Sequence, residues 1–412
     1  MEMKPGYSQT DVEVLPDEWE VKRLGDLGTF LKGRGVKKDE ANGGDLPCIR
    51  YGEIYTHHAD YIRSFYSWIS PAVAATATRL RQGDLLFAGS GETKDEIGKC
   101  VAFIGGHEAF AGGDIVILRP AGLNSMFMGY YCNTASINAQ KAGKGQGDAV
   151  VHISAGALSS IVIALPSLLE QQAIATALSD VDALLGRLDQ LIAKKRNLKQ
   201  AAIQQLLTGQ TRLPGFQAEW ETVEFGDVAS IRNSKVLPSS TPAGTQCVEL
   251  ESIDQGTGQL LTSVEATGMS PKYSFRKGDV LFGRLRAYLR KYWLATFDGV
   301  CSTEIWPLIA RDGRLVGSFL YVLVQTNDFV NVAAVSYGTH MPRTDWFVLK
   351  RFPVRLPPFH EQTAIAAFLS DMDAELTALD ARRDKIRDLK QAMMQELLTG
   401  KSRLVPVGGA NA

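Results

Sequence analysis

Leu165-Pro166-Ser167-Leu168-Leu169-Glu170-Gln171 opens a 49-residue segment that recurs 191 positions later, where Leu356-Pro357-Pro358-Phe359-His360-Glu361-Gln362 opens its second copy. Leu165 to Leu213 aligns on Leu356 to Leu404 without a gap, and 28 of the 49 pairs are identical. Both copies close on Leu-Leu-Thr-Gly, at Leu206 to Gly209 and Leu397 to Gly400. An ungapped repeat of this length is architectural and is read before any local feature. It divides the chain into residues 1–164, a first repeat at 165–213, residues 214–355, and a second repeat with its tail at 356–412. Fainter echoes join the larger regions. Trp19 matches Trp220, Gly83 to Phe87 matches Gly278 to Phe282, and Cys48-Ile49 matches Cys247-Val248.

Within the first repeat Val181, Leu184, Leu188, Leu191, Leu198 and Ala202 fall on alternating three- and four-residue steps, the spacing of a heptad stripe. Met372, Leu376, Leu379, Ile386, Leu389 and Met393 draw a more interrupted stripe in the second. Gly209 and Gly400 stand where a C-terminal cap glycine belongs. A helix from about Leu168 to Leu207 would run about 60 Å at 1.5 Å per residue, and its apolar stripe needs a partner. If the two helices pair, the chain order makes them antiparallel and brings the end of the second repeat near Val14 to Trp19. The regions ahead of them alternate short apolar runs with glycine turns, the pattern of mixed, mainly β domains. The expected fold is therefore α+β: two such domains joined by an antiparallel helix pair, with an approximate two-fold symmetry.

A length of 412 residues accommodates two or three domains, and a net charge of −1 gives no global basic signature. Five cysteines, none in a Cys-x-x-Cys pair, point to reduced thiols and a cytoplasmic protein. The first twenty residues lack the apolar core of a signal peptide, and no apolar run is long enough to span a membrane. Gly91 to Cys100 fails as a phosphate loop, because its glycine spacing is too long and Cys100 stands where a Ser or Thr is needed. His57, His58 and Asp60 read as a surface loop in preference to a metal site, since adjacent strand residues face opposite ways. No nucleophile elbow or paired-carboxylate pattern marks a catalyst, so the chain reads as a binder with no catalytic residue, metal or cofactor of its own.

Basic and polar residues gather at matching places. In the second domain Arg284, Arg286, Tyr288, Arg290 and Lys291 directly follow the Gly278 to Phe282 strand, and Thr339, His340 and Arg343 form a second loop. The first-domain counterparts are Ser90, Glu92, Thr93, Lys94 and Lys99, with Lys141 and Lys144 in the second loop. Such loops can place cations on phosphates or guanine edges, whereas a solvated hairpin with structural arginines is the competing reading.

Taken together, the tandem variable domains, the repeated Leu-Pro and Glu-Gln openings and the Leu-Leu-Thr-Gly closings resemble the DNA specificity subunit of type I restriction-modification systems over nearly the whole chain. The resemblance implies two target recognition domains, each reading half of a split target in double-stranded DNA, with the helix pair setting the spacer. It also implies two modification (methyltransferase) subunits as partners, with restriction subunits in the full complex. S-adenosylmethionine, ATP and Mg would be bound by those partners. The docking surface is expected among equivalent polar residues of the repeats: Gln171, Asp180, Lys199 and Gln204 with Gln362, Asp371, Lys390 and Gln395. The alternatives are a tandem scaffold for protein or RNA, and an orphan specificity subunit serving a methyltransferase alone.

Overall fold

Proline fixes the start of both repeated segments. After Pro166 and Pro358 the chain enters continuous α-helices at Leu168–Leu207 and Phe359–Leu397, of 40 and 39 residues. Each ends at its glycine: Gly209 and Gly400 take φ of +68° and +70°, the left-handed conformation of a C-terminal cap. The computed structural model describes residues 6–9, 14–147, 149–335 and 341–404. It separates into two compact units, one formed by residues up to 187 together with those from 383 onward, the other by residues 188–382. Each unit thus holds one β-rich domain with part of both long helices, and the helices form no separate body.

The two β-rich domains share a topology that their sequences conceal. In the first, four antiparallel strands lie in the order Cys100–Ala102, Leu85–Ala88, Ile115–Pro120, Gly28–Lys32. In the second the corresponding order is Tyr292–Leu294, Val280–Gly283, Ile305–Ala310, Ala229–Ile231. Each has a second sheet containing one parallel pair, Leu46–Ile49 with Phe110–Ala111 and Gln246–Val248 with Gly299–Cys301. The anchors Gly83 to Phe87 and Gly278 to Phe282 lead into the fully buried central strands of these sheets. All five cysteines are free and buried. No helix among the described residues is long and apolar enough to cross a membrane.

Within each unit the helix segments run antiparallel. In the second, Lys195 pairs with Glu375, Arg196 with Asp380 and Lys199 with Asp373. In the first, Lys390 pairs with Asp182 and Arg403 with Glu170. The repeat motifs explain one another crosswise: Glu361, opening the second copy, is held by Arg212, closing the first, just as Glu170 is held by Arg403. Their neighbours clamp the helix starts to the domains. Gln171 Oε1 accepts from the Asn124 amide at 3.0 Å, and Gln362 Oε1 from the Val316 amide at 2.9 Å. The end of the second repeat does reach the predicted segment, because the Tyr7 hydroxyl donates to the Gly400 carbonyl at 2.7 Å and Arg403 bonds Glu18.

The heptad stripe of the first helix needs correction. Leu188 is buried as expected, but Leu184, Leu191 and Leu198 are 39, 40 and 49% exposed. The buried stripe runs instead through Ile174, Leu178, Asp182, Leu188, Ile192, Lys199, Ile203 and Leu206. An apolar count missed it because Asp182 and Lys199 sit on it, each neutralised by the opposite helix.

Candidate nucleic-acid interface

The loops that the sequence singles out separately come together in each unit. In the second, Arg284 extends the Val280–Gly283 strand and lies beside residues 342–344. Arg286 N–H donates to the Pro342 carbonyl, and Thr344 N–H to the Arg284 carbonyl, both at 2.9 Å. A one-turn 3-10 helix, Ala287–Leu289, forms the tip, flanked by Arg286 and Arg290 in left-handed conformation at φ +52° each. Tyr288 projects from it, 54% exposed. In the first unit Ser90–Gly91 pairs with Val151–His152, and Ser90 Oγ lies 2.9 Å from His152 Nδ1. Thus a loop after the central strand meets a loop before the long helix in both units.

The cations at these loops divide into held and free. Arg290 donates to the Gln325 carbonyl at 3.1 Å and to Asn327 Oδ1, and Lys291 to the Leu250 carbonyl at 2.8 Å. Arg343 grips Glu304 through two 2.9 Å bonds, which hold that carboxyl below its usual range. Arg284 stacks on Trp306 with its guanidinium carbon 4.8 Å from the ring centroid, and its buried Nε has no hydrogen-bond partner among the described residues. Arg286 is exposed. The structural-arginine reading therefore describes Arg290 and Arg343, whereas Arg286 is exposed with no side-chain partner among the described residues and Arg284, half-buried on the Trp306 ring, forms no ion pair with a described residue. Thr339 and His340 lie outside the described residues.

The first unit differs in charge. Glu92, Thr93 and Lys94 are exposed, but Lys99 donates to the His58 carbonyl at 2.6 Å and to that of Tyr55. Lys141, expected in a mobile basic loop, is instead a fully buried strut, with Nζ bonding the Gly98 carbonyl at 2.8 Å and the Cys132 carbonyl at 2.9 Å. Burial lowers its pKa. It has no surface to offer DNA, and the reason lies in its helix, Ala135–Lys144, which turns this face into the core. Lys144, in the last turn, is half-buried.

Four of the eight residues expected to dock partners are occupied inside the chain. Gln171 and Gln362 are buried clamps, Lys199 bonds Asp373 and Gln325, and Lys390 bridges Asp60 and Asp182. Their identity across the repeat reflects a duplicated internal contact, not an exposed face. Gln204 is half-buried, and Asp180, Asp371 and Gln395 are exposed.

Among the described residues no group of three or more His, Cys, Asp or Glu is placed to hold a metal. His58 is buried, its Nε2 unpartnered among the described residues, and burial lowers its pKa from 6.5 to about 4. The folded chain keeps the neutral ring where the unfolded chain takes up a proton. The contribution is therefore complete above pH 6.5 and is lost as pH falls towards 4. The loss should reach about 1 to 3 kcal/mol at about 1.4 kcal/mol per pKa unit. Thermal unfolding across this range measures it. His58→Gln should flatten the profile, and an unchanged profile would place the acid sensitivity elsewhere.

Comparison with known proteins adds four findings. The family model described as Type I restriction modification DNA specificity domain matches residues 16–195 and 217–387. The specificity subunit of the type I restriction enzyme EcoDI of Escherichia coli is 23% identical over 428 residues, covering 94% of this chain and 89% of that protein. The MjaVIII specificity subunit of Methanocaldococcus jannaschii is 23% identical over 420 residues, covering 95% and 94%. Among solved structures, the S subunit of a type I restriction-modification system from M. genitalium shares the fold, with a TM-score of 0.58 at 14% identity over 96% of this chain and 99% of that one.

Proposed function

Because this chain belongs to the type I restriction-modification DNA specificity family, we propose that each unit reads one half of a bipartite duplex target, the second through Arg284, Arg286 and Tyr288. The observation that carries this is the junction of two loops in one face, with Arg290, Lys291 and Arg343 holding its shape while Arg286 and Tyr288 stand exposed at the tip and Arg284 lies half-buried beside them. A planar guanidinium can take guanine O6 and N7 together, or a phosphate. The long helices set the spacer. The chain itself performs no chemistry. Two modification subunits carry S-adenosylmethionine for adenine methylation and dock near Asp180, Asp371 and Gln395, and ATP- and Mg-dependent restriction subunits complete the enzyme.

Duplex binding by Arg284→Ala and Arg286→Ala, in the full-length chain with its methyltransferase subunits, tests the assignment. A base contact should cost about 1 to 3 kcal/mol and relax selectivity in one half-site, whereas a phosphate contact should reduce the salt slope by about one. The other half-site should be unaffected. Wild-type affinity and salt slope in both variants would remove this face from the interface.

A further inference from the structure

The first unit has a cationic surface on an element that no motif marked. Its loop at 92–96 carries Glu92, Asp95 and Glu96 against Lys94, so its field repels phosphate where the second unit presents arginines. The chain leaving the Gly28–Lys32 strand reads Lys32-Gly33-Arg34-Gly35-Val36-Lys37-Lys38 before Asp39 and Glu40. Lys32, Arg34, Lys37 and Lys38 are all exposed, and none forms an ion pair with a described residue. Glu40 does not neutralise them by contact, because its carboxylate is turned onto the Lys37 backbone N–H at 2.8 Å.

This loop is fixed in shape. Gly35 and Val36 both take left-handed φ, +66° and +58°, and for a β-branched residue that is a strained conformation. It is imposed from outside. Gly33 N–H donates to the Ile115 carbonyl at 2.8 Å, and Gly113 N–H to the Gly35 carbonyl at 3.1 Å. A Cβ on Gly33 would stand 2.0 Å from the Gly112 carbonyl oxygen, so only glycine allows this approach. Strain that the surroundings over-determine is a mark of a functional loop.

The loop also borders the loop junction of the same unit. Val36 and Lys38 line a depression of about 470 Å³ together with Tyr51 and Asp114. Tyr51 is 41% exposed at its rim. Asp114 in turn touches the junction, since its carbonyl accepts from Gly89 N–H at 2.7 Å, next to Ser90. Asp114 thus links the depression, with its cation and exposed aromatic ring, to the strand that carries Ser90.

We propose that Lys32, Arg34 and Lys38 grip the phosphate backbone of duplex DNA beside the first half-site, replacing the contacts that the acidic 92–96 loop cannot make. This rests on the DNA-reading assignment above. The test is the salt dependence of duplex binding by the full-length chain with its methyltransferase subunits. Each phosphate contact contributes about 0.9 to the slope of log K against log salt, so the triple variant Lys32→Gln, Arg34→Gln, Lys38→Gln should lower the slope by nearly three. All three side chains are exposed, and a melting temperature equal to wild type confirms the fold. Lys22→Gln, at an exposed lysine of the same unit already paired with Glu20, should leave the slope unchanged. An unchanged slope in the triple variant, or an equal loss per residue in Lys22→Gln, overturns the proposal while leaving DNA reading intact. A wild-type complex whose duplex binding ignores salt overturns both.

Discussion

A fragment of residues 1–213, expressed alone, is expected to form a homodimer. The reason lies in the 191-residue offset. In the second unit the first repeat meets Asp380, Asp373 and Glu361 through Arg196, Lys199 and Arg212. In a dimer of fragments, a copy of the first repeat takes the place of the second, and the residues arriving there are Asp189, Asp182 and Glu170. Every one is again an acid. The buried Ile365, Leu369 and Leu376 are replaced by Ile174, Leu178 and Leu185. Three such side chains contribute about 1.5 to 3 kcal/mol each when buried. One contact is lost, because Lys195 faces Leu184 where Glu375 stood. Leu184→Glu should therefore tighten the dimer, by about 0.2 to 1 kcal/mol for each of two exposed pairs. Sedimentation at tens of micromolar decides the matter. A folded fragment that stays monomeric would show that the two repeats are not interchangeable partners. With modification subunits, the dimer should direct methylation to the first half-site repeated in inverted orientation.

The same offset explains what the sequence revealed and what it hid. The repeat exposed the architecture because several residues shared by the two copies answer one another across them: Glu170 answers Arg403, Glu361 answers Arg212, and Asp182 answers Lys390. A single chain cannot tell such internal pairs from a partner's docking surface, since both demand identity at equivalent positions. For that reason Gln171, Gln362, Lys199 and Lys390 read as exposed when they are occupied within the chain. The heptad stripe failed for a related reason. Hydrophobicity marked Leu184, Leu191 and Leu198, but ion pairing admits Asp182 and Lys199 to the buried face, and that shift turns those leucines towards solvent. The arginine loop was legible as a dense basic run beside a strand. The basic turn at Lys32 to Lys38 was not, because two acids follow it and its left-handed backbone cannot be read from a valine. Lys141 shows the converse: a cation near glycines resembled a solvated loop, yet two buried carbonyls needed its donors.

Removing either crossed carboxylate should free the start of the long helix it caps, and the two sites should differ in degree. Glu361 is fully buried, accepts both bonds of the Arg212 fork and also accepts from Trp220 Nε1 at 3.0 Å. Arg212 and Arg355 lie over the Trp220 ring, 5.3 and 5.5 Å from its centroid. Glu361→Ala would leave the indole N–H without its acceptor and the guanidinium with only the Ala218 carbonyl, at 3.0 Å, beside the first turn of the second helix. Arg212 is about a quarter exposed and can turn to water, so most of the cost falls on Trp220 and the vacated space. A loss of about 2 to 3 kcal/mol follows, less than for a fully enclosed pair. Glu170 is equally buried and is held by Arg403, but Trp19 Nε1 has no partner among the described residues. Glu170→Ala therefore sacrifices one hydrogen bond fewer and should cost about 1 kcal/mol less. Amide hydrogen exchange over the first two turns of each helix reads these openings separately. Exchange near Ile365 should accelerate by roughly 30- to 150-fold in Glu361→Ala, at tenfold per 1.4 kcal/mol, and that near Ile174 by several-fold less in Glu170→Ala. Equal acceleration at the two helices would mean that the Trp220 bond adds nothing and that the arginine pairs alone hold the frame.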